Sequence, residues 1–262
     1  MSIPRCARAS VAILALFAGL FAGSAALSAP ASTPPLLLIS LDGFRWDYCA
    51  LHPAETPNLH QLMHAGVSAR GLIPVFPSNT FPNHYSIVTG LYPSHHGIIN
   101  NDMFDPALGE FFHYNVPLVA RRSEWWGGEP IWVTAILQGR RSATSFWIGS
   151  EAEIKGLRPT YWKTYDYSVP FANRLDELSG WLQLPAGQRP AFVAFYLEET
   201  NSVGHMYGPD SPEITAAIKL LDGHIGAIMS RLRDDHLDVN VIVVSDHGLA
   251  PASADHVPVL DD

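Results

Sequence analysis

The sequence predicts an α/β fold: a doubly wound, mostly parallel sheet with helices on both faces. Three observations point there. Short apolar runs recur without the alternation of a half-exposed strand: "LLLISL" at Leu36 to Leu41, "AFVAFYL" at Ala191 to Leu197 and "VNVIVVS" at Val239 to Ser245. Continuous runs of this kind are strands covered on both faces. Segments with helical spacing separate them, as in folds whose strands and helices alternate. Acidic or imidazole side chains then follow each run, at the strand ends where such sheets hold their ligands.

Arg5 and Arg8, the apolar stretch Val11 to Phe21 and the small residues of "SAALSAP" read as a secretory signal over residues 1–29. The apolar stretch is short for a membrane span of roughly 20 residues, so no stable span is expected after cleavage. That places the chain in a secreted or periplasmic setting. Cys49 is then the single remaining cysteine, a small packed residue with no basic neighbour to activate it.

"LLLISL" runs into Asp42-Gly43. "TPNLHQLMHAG" offers Thr56 as N-cap, Pro57 at the first helical position and Gly66 as a stop. "FPNHYSIVT" before Gly90 fits a short helix with Thr80 at its start. "ATSFWIG" (Ala143 to Gly149) is a fourth strand candidate. "AFVAFYL" runs into Glu198, Glu199, Asn201 and His205. The helix after Ser211 and Pro212 carries Ile214, Ile218, Leu221, Ile225, Ile228 and Leu232, a stripe that lies on a sheet. "VNVIVVS" runs into Asp246-His247-Gly248.

At 262 residues, 47% hydrophobic and 16% charged, the chain can fill one large domain. A net charge of −9 with no basic stripe excludes a surface that binds nucleic acid through its phosphates. Carboxylates gathered without partners repel, so three strand ends delivering acids, two of them with histidine, suggest a cation site. Mixed oxygen and nitrogen ligands suit zinc. Asn201 and His205 are four apart and share a face of one helical turn. Thr80 at a helix N-terminus sits where the dipole favours a phosphate. A cation would turn its hydroxyl into a nucleophile; a plain helix cap is the other reading of the same residue.

"ISLDGFRWDY", "FPSNTFPNHYSIVTGLYPSHHGIINNDMFDP", "WWGGEPIW", "FWIGSE", "YLEETNSVGHMYGP" and "VVSDHGLAP" follow one another between Leu36 and Asp262. In this order they resemble the nucleotide pyrophosphatase/phosphodiesterases of the alkaline phosphatase superfamily. The resemblance implies two zinc ions flanking a threonine nucleophile. By motif, Asp42, Thr80, Asp246 and His247 match the ligands of one zinc, and Asn201 and His205 stand at the other. Thr80 would form a covalent nucleotidyl intermediate that water hydrolyses. Asn101 matches an amide that donates to a phosphoryl oxygen, and Phe81 and Tyr165 match aromatics that hold the nucleobase. His84, His95 and His96 are expected to orient neighbouring groups rather than bind metal. The implied substrate is a small nucleotide or another phosphodiester; a phosphomonoester or a lipid headgroup diester on the same metal core is the alternative, as is an inactive protein that binds zinc or nucleotide.

Two departures from the pattern stand out. The family has Asp where this chain has Asn201. Its second zinc also takes a histidine downstream of "SDHG" that residues 36–262 do not supply, since His256 matches no family position. The catalytic domain is therefore expected to lack its C-terminal portion and the second zinc site to be incomplete.

Overall fold

The computed structural model describes residues 33–252; the expected leader and His256 lie outside them. In chain order the described elements are β1 (Leu36–Leu41), α1 (Tyr48–Leu51), α2 (Pro57–Ala65), α3 (Thr80–Thr89), α4 (Pro93–His96), the hairpin β2 (Asp102–Asp105) and β3 (Glu110–His113), and α5 (Pro117–Ala120). There follow α6 (Ile131–Leu137), β4 (Arg141–Ser145), β5 (Tyr161–Lys163), α7 (Phe171–Gln183), β6 (Pro190–Leu197), α8 (Glu199–Tyr207), α9 (Pro212–Asp234) and β7 (Asn240–Val244). No helix among the described residues is long and apolar enough to cross a membrane.

The main sheet has the order β5-β4-β6-β1-β7, and every pairing in it is parallel. Parallel pairing sends all the C-terminal strand ends to one edge. Leu41 of β1 lies level with Leu197 of β6, and Asp42 N–H continues the ladder to Leu197 O at 2.8 Å.

Because a strand alternates its side chains, β1 and β6 each serve two cores. Leu37, Ile39 and Leu41 join Val193, Phe195 and Leu197 beneath α9 and α7. Leu38 joins Phe192, Ala194 and Tyr196 with Tyr85, Trp132 and Trp147 on the opposite face. The expected stripe of α9, from Ile214 to Leu232, is buried in the first core throughout. Ser211 caps α9 by accepting from Ile214 N–H at 3.1 Å.

Three local expectations need correction. Thr56 holds the N-cap position of α2, but its hydroxyl turns back to His52 O. Asp222 of α9 caps instead, accepting from Asn58 N–H at 3.1 Å and Leu59 N–H at 2.8 Å. The strand expected at 143–149 is β4, and it ends at Ser145. At Phe146 the backbone takes φ +64°, which leaves the sheet and sends Trp147 into the aromatic core. The run at 239–245 forms β7, but Ile242 is exposed and no β7 residue is fully buried. As the marginal strand it has one neighbour, so its apolar run is covered less completely than those of β1 and β6.

Candidate active site

The strand ends bring Asp42, Asp246 and His247 together. One ligand atom from each lies within 4.8 Å of the others, and all three residues are buried. Gly43 makes the turn beyond Asp42 at φ +68°, where a side chain would be strained. A Cβ there would also lie 3.0 Å from Asn201 Cα. The Gly43 N–H donates to Asp246 Oδ1 at 3.2 Å, which ties the turn after β1 to the loop after β7.

Helix α3 delivers Thr80 to this cluster, with Gly90 closing the helix at φ +68°. Thr80 is the first residue of α3, the N-cap position falling to Asn79, and its Oγ1 lies 3.2 Å from His247 Nε2. Of the first three backbone nitrogens of α3, Pro82 carries no proton and Phe81 N–H donates to Asn101 Oδ1 at 3.0 Å. The Thr80 N–H and the helix dipole remain to face an anion. Holding the Asn101 carbonyl leaves its amide NH₂ as donor.

The hydrogen bonding of His247 bears on the charge of the cluster. Its Nδ1 faces Gly248 O at 2.9 Å. A carbonyl only accepts, so Nδ1 carries the proton. Nε2 then lies among acceptors: Asp246 Oδ2 at 3.2 Å and Asp42 Oδ1 at 3.4 Å. Asp42 Oδ1, Asp246 Oδ2 and Asn201 Oδ1 are buried with no hydrogen-bond donor. Orphaned acceptors of this kind are costly unless a positive charge sits among them. Burial and the neighbouring Asp246 carboxylate push the Asp42 carboxyl well above its usual range, against the lowering effect of His84 and Tyr196. Burial also raises Asp246, but His84 and His247 outweigh it and hold this carboxyl below the usual range. The donor set therefore fits a cation bound by oxygen and nitrogen.

His84, one turn after Thr80, is fully buried. Its Nδ1 lies 2.9 Å from Thr80 O and 3.1 Å from Asp246 Oδ2, and its Nε2 lies 2.8 Å from Ser40 Oγ. Burial lowers its basicity, but the two nearby carboxylates raise it above the usual histidine value. His96 contacts Ser86 Oγ at 2.9 Å and accepts from Ile98 N–H at 3.2 Å through Nδ1. An accepting Nδ1 requires a neutral ring, and burial pushes this imidazole down to about 4. His95 is exposed.

Asn201 and His205 share α8 as their spacing required, but His205 is exposed and outside the buried cluster. Phe81 is half-buried, edge-on to Phe112 at 5.8 Å and Tyr114 at 5.7 Å. Tyr165 packs edge-on against Phe146 and Tyr196; burial and Glu198 push its phenol up to about 12. The residue that the sequence concealed is Tyr196, whose hydroxyl donates to Asp42 Oδ2 at 2.5 Å. Its one signal was a phenol inside an otherwise apolar strand, since a buried Tyr hydroxyl needs a partner.

Residues 36–262 match the family described as type I phosphodiesterase / nucleotide pyrophosphatase. Ectonucleotide pyrophosphatase/phosphodiesterase family member 1 of Homo sapiens is 47% identical over 223 residues, covering 84% of this chain and 24% of that protein. A venom phosphodiesterase of Macrovipera lebetinus is 42% identical over 230 residues, covering 87% of this chain and 27% of that protein. Among solved structures, murine ectonucleotide pyrophosphatase/phosphodiesterase 5, an inactive threonine-to-alanine variant in complex with AMP, matches with a TM-score of 0.81 at 36% identity. That match covers 85% of this chain and 59% of the other. The chain thus spans about a quarter of the length of these curated relatives.

Proposed function

The chain belongs to the type I phosphodiesterase / nucleotide pyrophosphatase family, and from that premise we propose that its cluster hydrolyses nucleotide phosphodiester or pyrophosphate bonds and releases a nucleoside 5′-monophosphate. The observation that carries this reading is the convergence of Thr80 Oγ1 and His247 Nε2 with the two carboxylates Asp42 and Asp246. Asp42, Asp246, His247 and the Thr80 hydroxyl would hold a zinc ion. When bound, zinc supplies Lewis-acid polarisation that favours the Thr80 alkoxide and balances phosphoryl charge.

The residues of the chain account for the rest. Thr80 Oγ1 attacks phosphorus; the Oγ–P bond forms as the bond to the leaving oxygen breaks, and that oxygen departs with the electron pair and takes up a proton. Water then cleaves the nucleotidyl-threonine and restores the hydroxyl. The free NH₂ of Asn101 donates to a non-bridging oxygen as charge grows there. Phe81 and Tyr165 offer ring faces to a base, a contact that tolerates different bases. The inactive relative with its missing threonine and bound AMP supports both the nucleophile and the product class. The leader-like N-terminus, together with relatives named as ectoenzymes and venom enzymes, supports a secreted or periplasmic location.

Of the two residues that the resemblance assigns to a second ion, Asn201 has a buried oxygen without a donor and His205 is exposed. Zinc titration of the purified chain is expected to saturate at one tight ion. The test of function is turnover of a nitrophenyl nucleotide diester against nitrophenyl phosphate with zinc present. Preferred diester turnover that is lost in Thr80→Ala supports the reading. Equal or greater monoester turnover overturns it in favour of a phosphomonoesterase, and zinc uptake without turnover overturns it in favour of a binding protein.

A further inference from the structure

We propose that Tyr196 and His84 are paired positioning residues, each fixing one carboxylate of the cation cluster, and that both are anchored by the single cross-strand pair Ser40–Tyr196. The inference rests on the reading of Asp42, Asp246 and His247 as cation ligands.

Asp42 has two oxygens. The Tyr196 hydroxyl occupies Oδ2 at 2.5 Å, leaving Oδ1 as the buried, unpartnered oxygen that lies 3.4 Å from His247 Nε2. A carboxylate held by one oxygen presents the other in a single orientation. Asp246 is handled in the same way. Its Oδ1 accepts from Gly43 N–H, and its Oδ2 lies 3.1 Å from His84 Nδ1. Because Thr80 O also faces His84 Nδ1 at 2.9 Å, that nitrogen carries its proton. That N–H donates to Thr80 O, the backbone of the nucleophile, while Asp246 Oδ2 lies against the same nitrogen as a charge contact and keeps no hydrogen-bond donor of its own. His84 thereby sets the distance between Thr80 and a ligand that approaches from a different strand.

Both positioners depend on the register of β1 and β6. Ser40 and Tyr196 are directly opposite in that ladder. Ser40 Oγ holds His84 Nε2 at 2.8 Å, and the Tyr196 ring packs edge-on against the His84 ring at 5.2 Å, with Trp147 at 5.3 Å from the same ring. The imidazole is confined by two rings and three polar contacts. Groups that orient metal ligands change metal affinity by about 10- to 100-fold when removed.

The test is zinc affinity by chelator competition, with the visible absorption of the cobalt-substituted protein as a report of ligand geometry, on the full chain and on Tyr196→Phe, His84→Gln and Ser40→Ala. Tyr196→Phe is expected to weaken zinc by about 10- to 100-fold, to shift the cobalt bands, and to lower kcat with KM unchanged, while circular dichroism stays that of the parent. His84→Gln is expected to do the same through Asp246, and Ser40→Ala to show a smaller loss of the same kind. Tyr196→Phe and His84→Gln proteins that fold and hold zinc within about two-fold of the parent, with unshifted cobalt bands, would overturn the inference and leave the cation reading standing. A parent chain that holds no zinc would overturn both. If the first two variants fail to fold, Ser40→Ala decides, since it removes one hydroxyl: an unchanged zinc affinity counts against the pairing.

Discussion

The two faces of the sheet solve different problems with the same two strands. Beneath α9 the contacts are aliphatic, from Leu37, Ile39 and Leu41 to Ile214, Ile218 and Ile225. Opposite, Leu38, Ser40 and Tyr196 meet tryptophan, tyrosine and histidine, and the decisive contacts are hydrogen bonds with named partners. On the first face, position follows from volume and period. On the second, it follows from pairings between residues far apart in the chain. Stability should therefore reside mainly under α9, and chemistry on the other side.

The largest expected effect is Thr80→Ala. Diester turnover should fall by at least about a thousand-fold, as when a nucleophile is deleted, while the unfolding free energy from denaturant melts changes by less than about 1 kcal/mol. A loss of stability as large as that of a core deletion would break the division. The reverse test is Ile225→Ala under α9. It should cost about 3 kcal/mol in denaturant unfolding and leave the kcat of the folded fraction unchanged.

A subtler probe is His96 of α4. Its folded imidazole titrates at about 4 against the usual 6.5, so the unfolded chain binds the proton first as pH falls. The contribution is intact above 6.5 and is lost as pH drops from 6.5 towards 4. Denaturant midpoints at neutral and mildly acidic pH should converge in His96→Gln relative to the parent. The smallest effect is Ser211→Ala at the start of α9, worth about 1 kcal/mol, with zinc affinity untouched.

The same contrast explains what was legible from the residues alone. The α9 stripe and the β1 and β6 runs could be placed within a residue, because burial on a regular element leaves a period. Asp42, Asp246 and His247 could be nominated because strand ends carry chemistry, whereas Thr80 was nominated through the family resemblance, its place at a helix start fitting a plain cap equally well. The Asp222 cap of α2 was not legible, since Thr56 satisfied the local rule and the true cap arrives from a helix far along the chain. Nor was the end of β4 at Ser145, where "FWIG" continues the apolar run while the backbone turns at Phe146. Tyr196 was hidden for a related reason. Its partner Asp42 lies 154 residues away, and no local pattern records such a pairing.

The strict alternation along β1 leaves no room for drift. A single inserted residue between Leu36 and Asp42 would exchange the two sets of side chains, driving Ser40 into hydrocarbon and an aliphatic group against the imidazole of His84. Cohesion and reactivity would be forfeited in one event. Length changes in this segment should thus be silent or lethal, with no graded series between them.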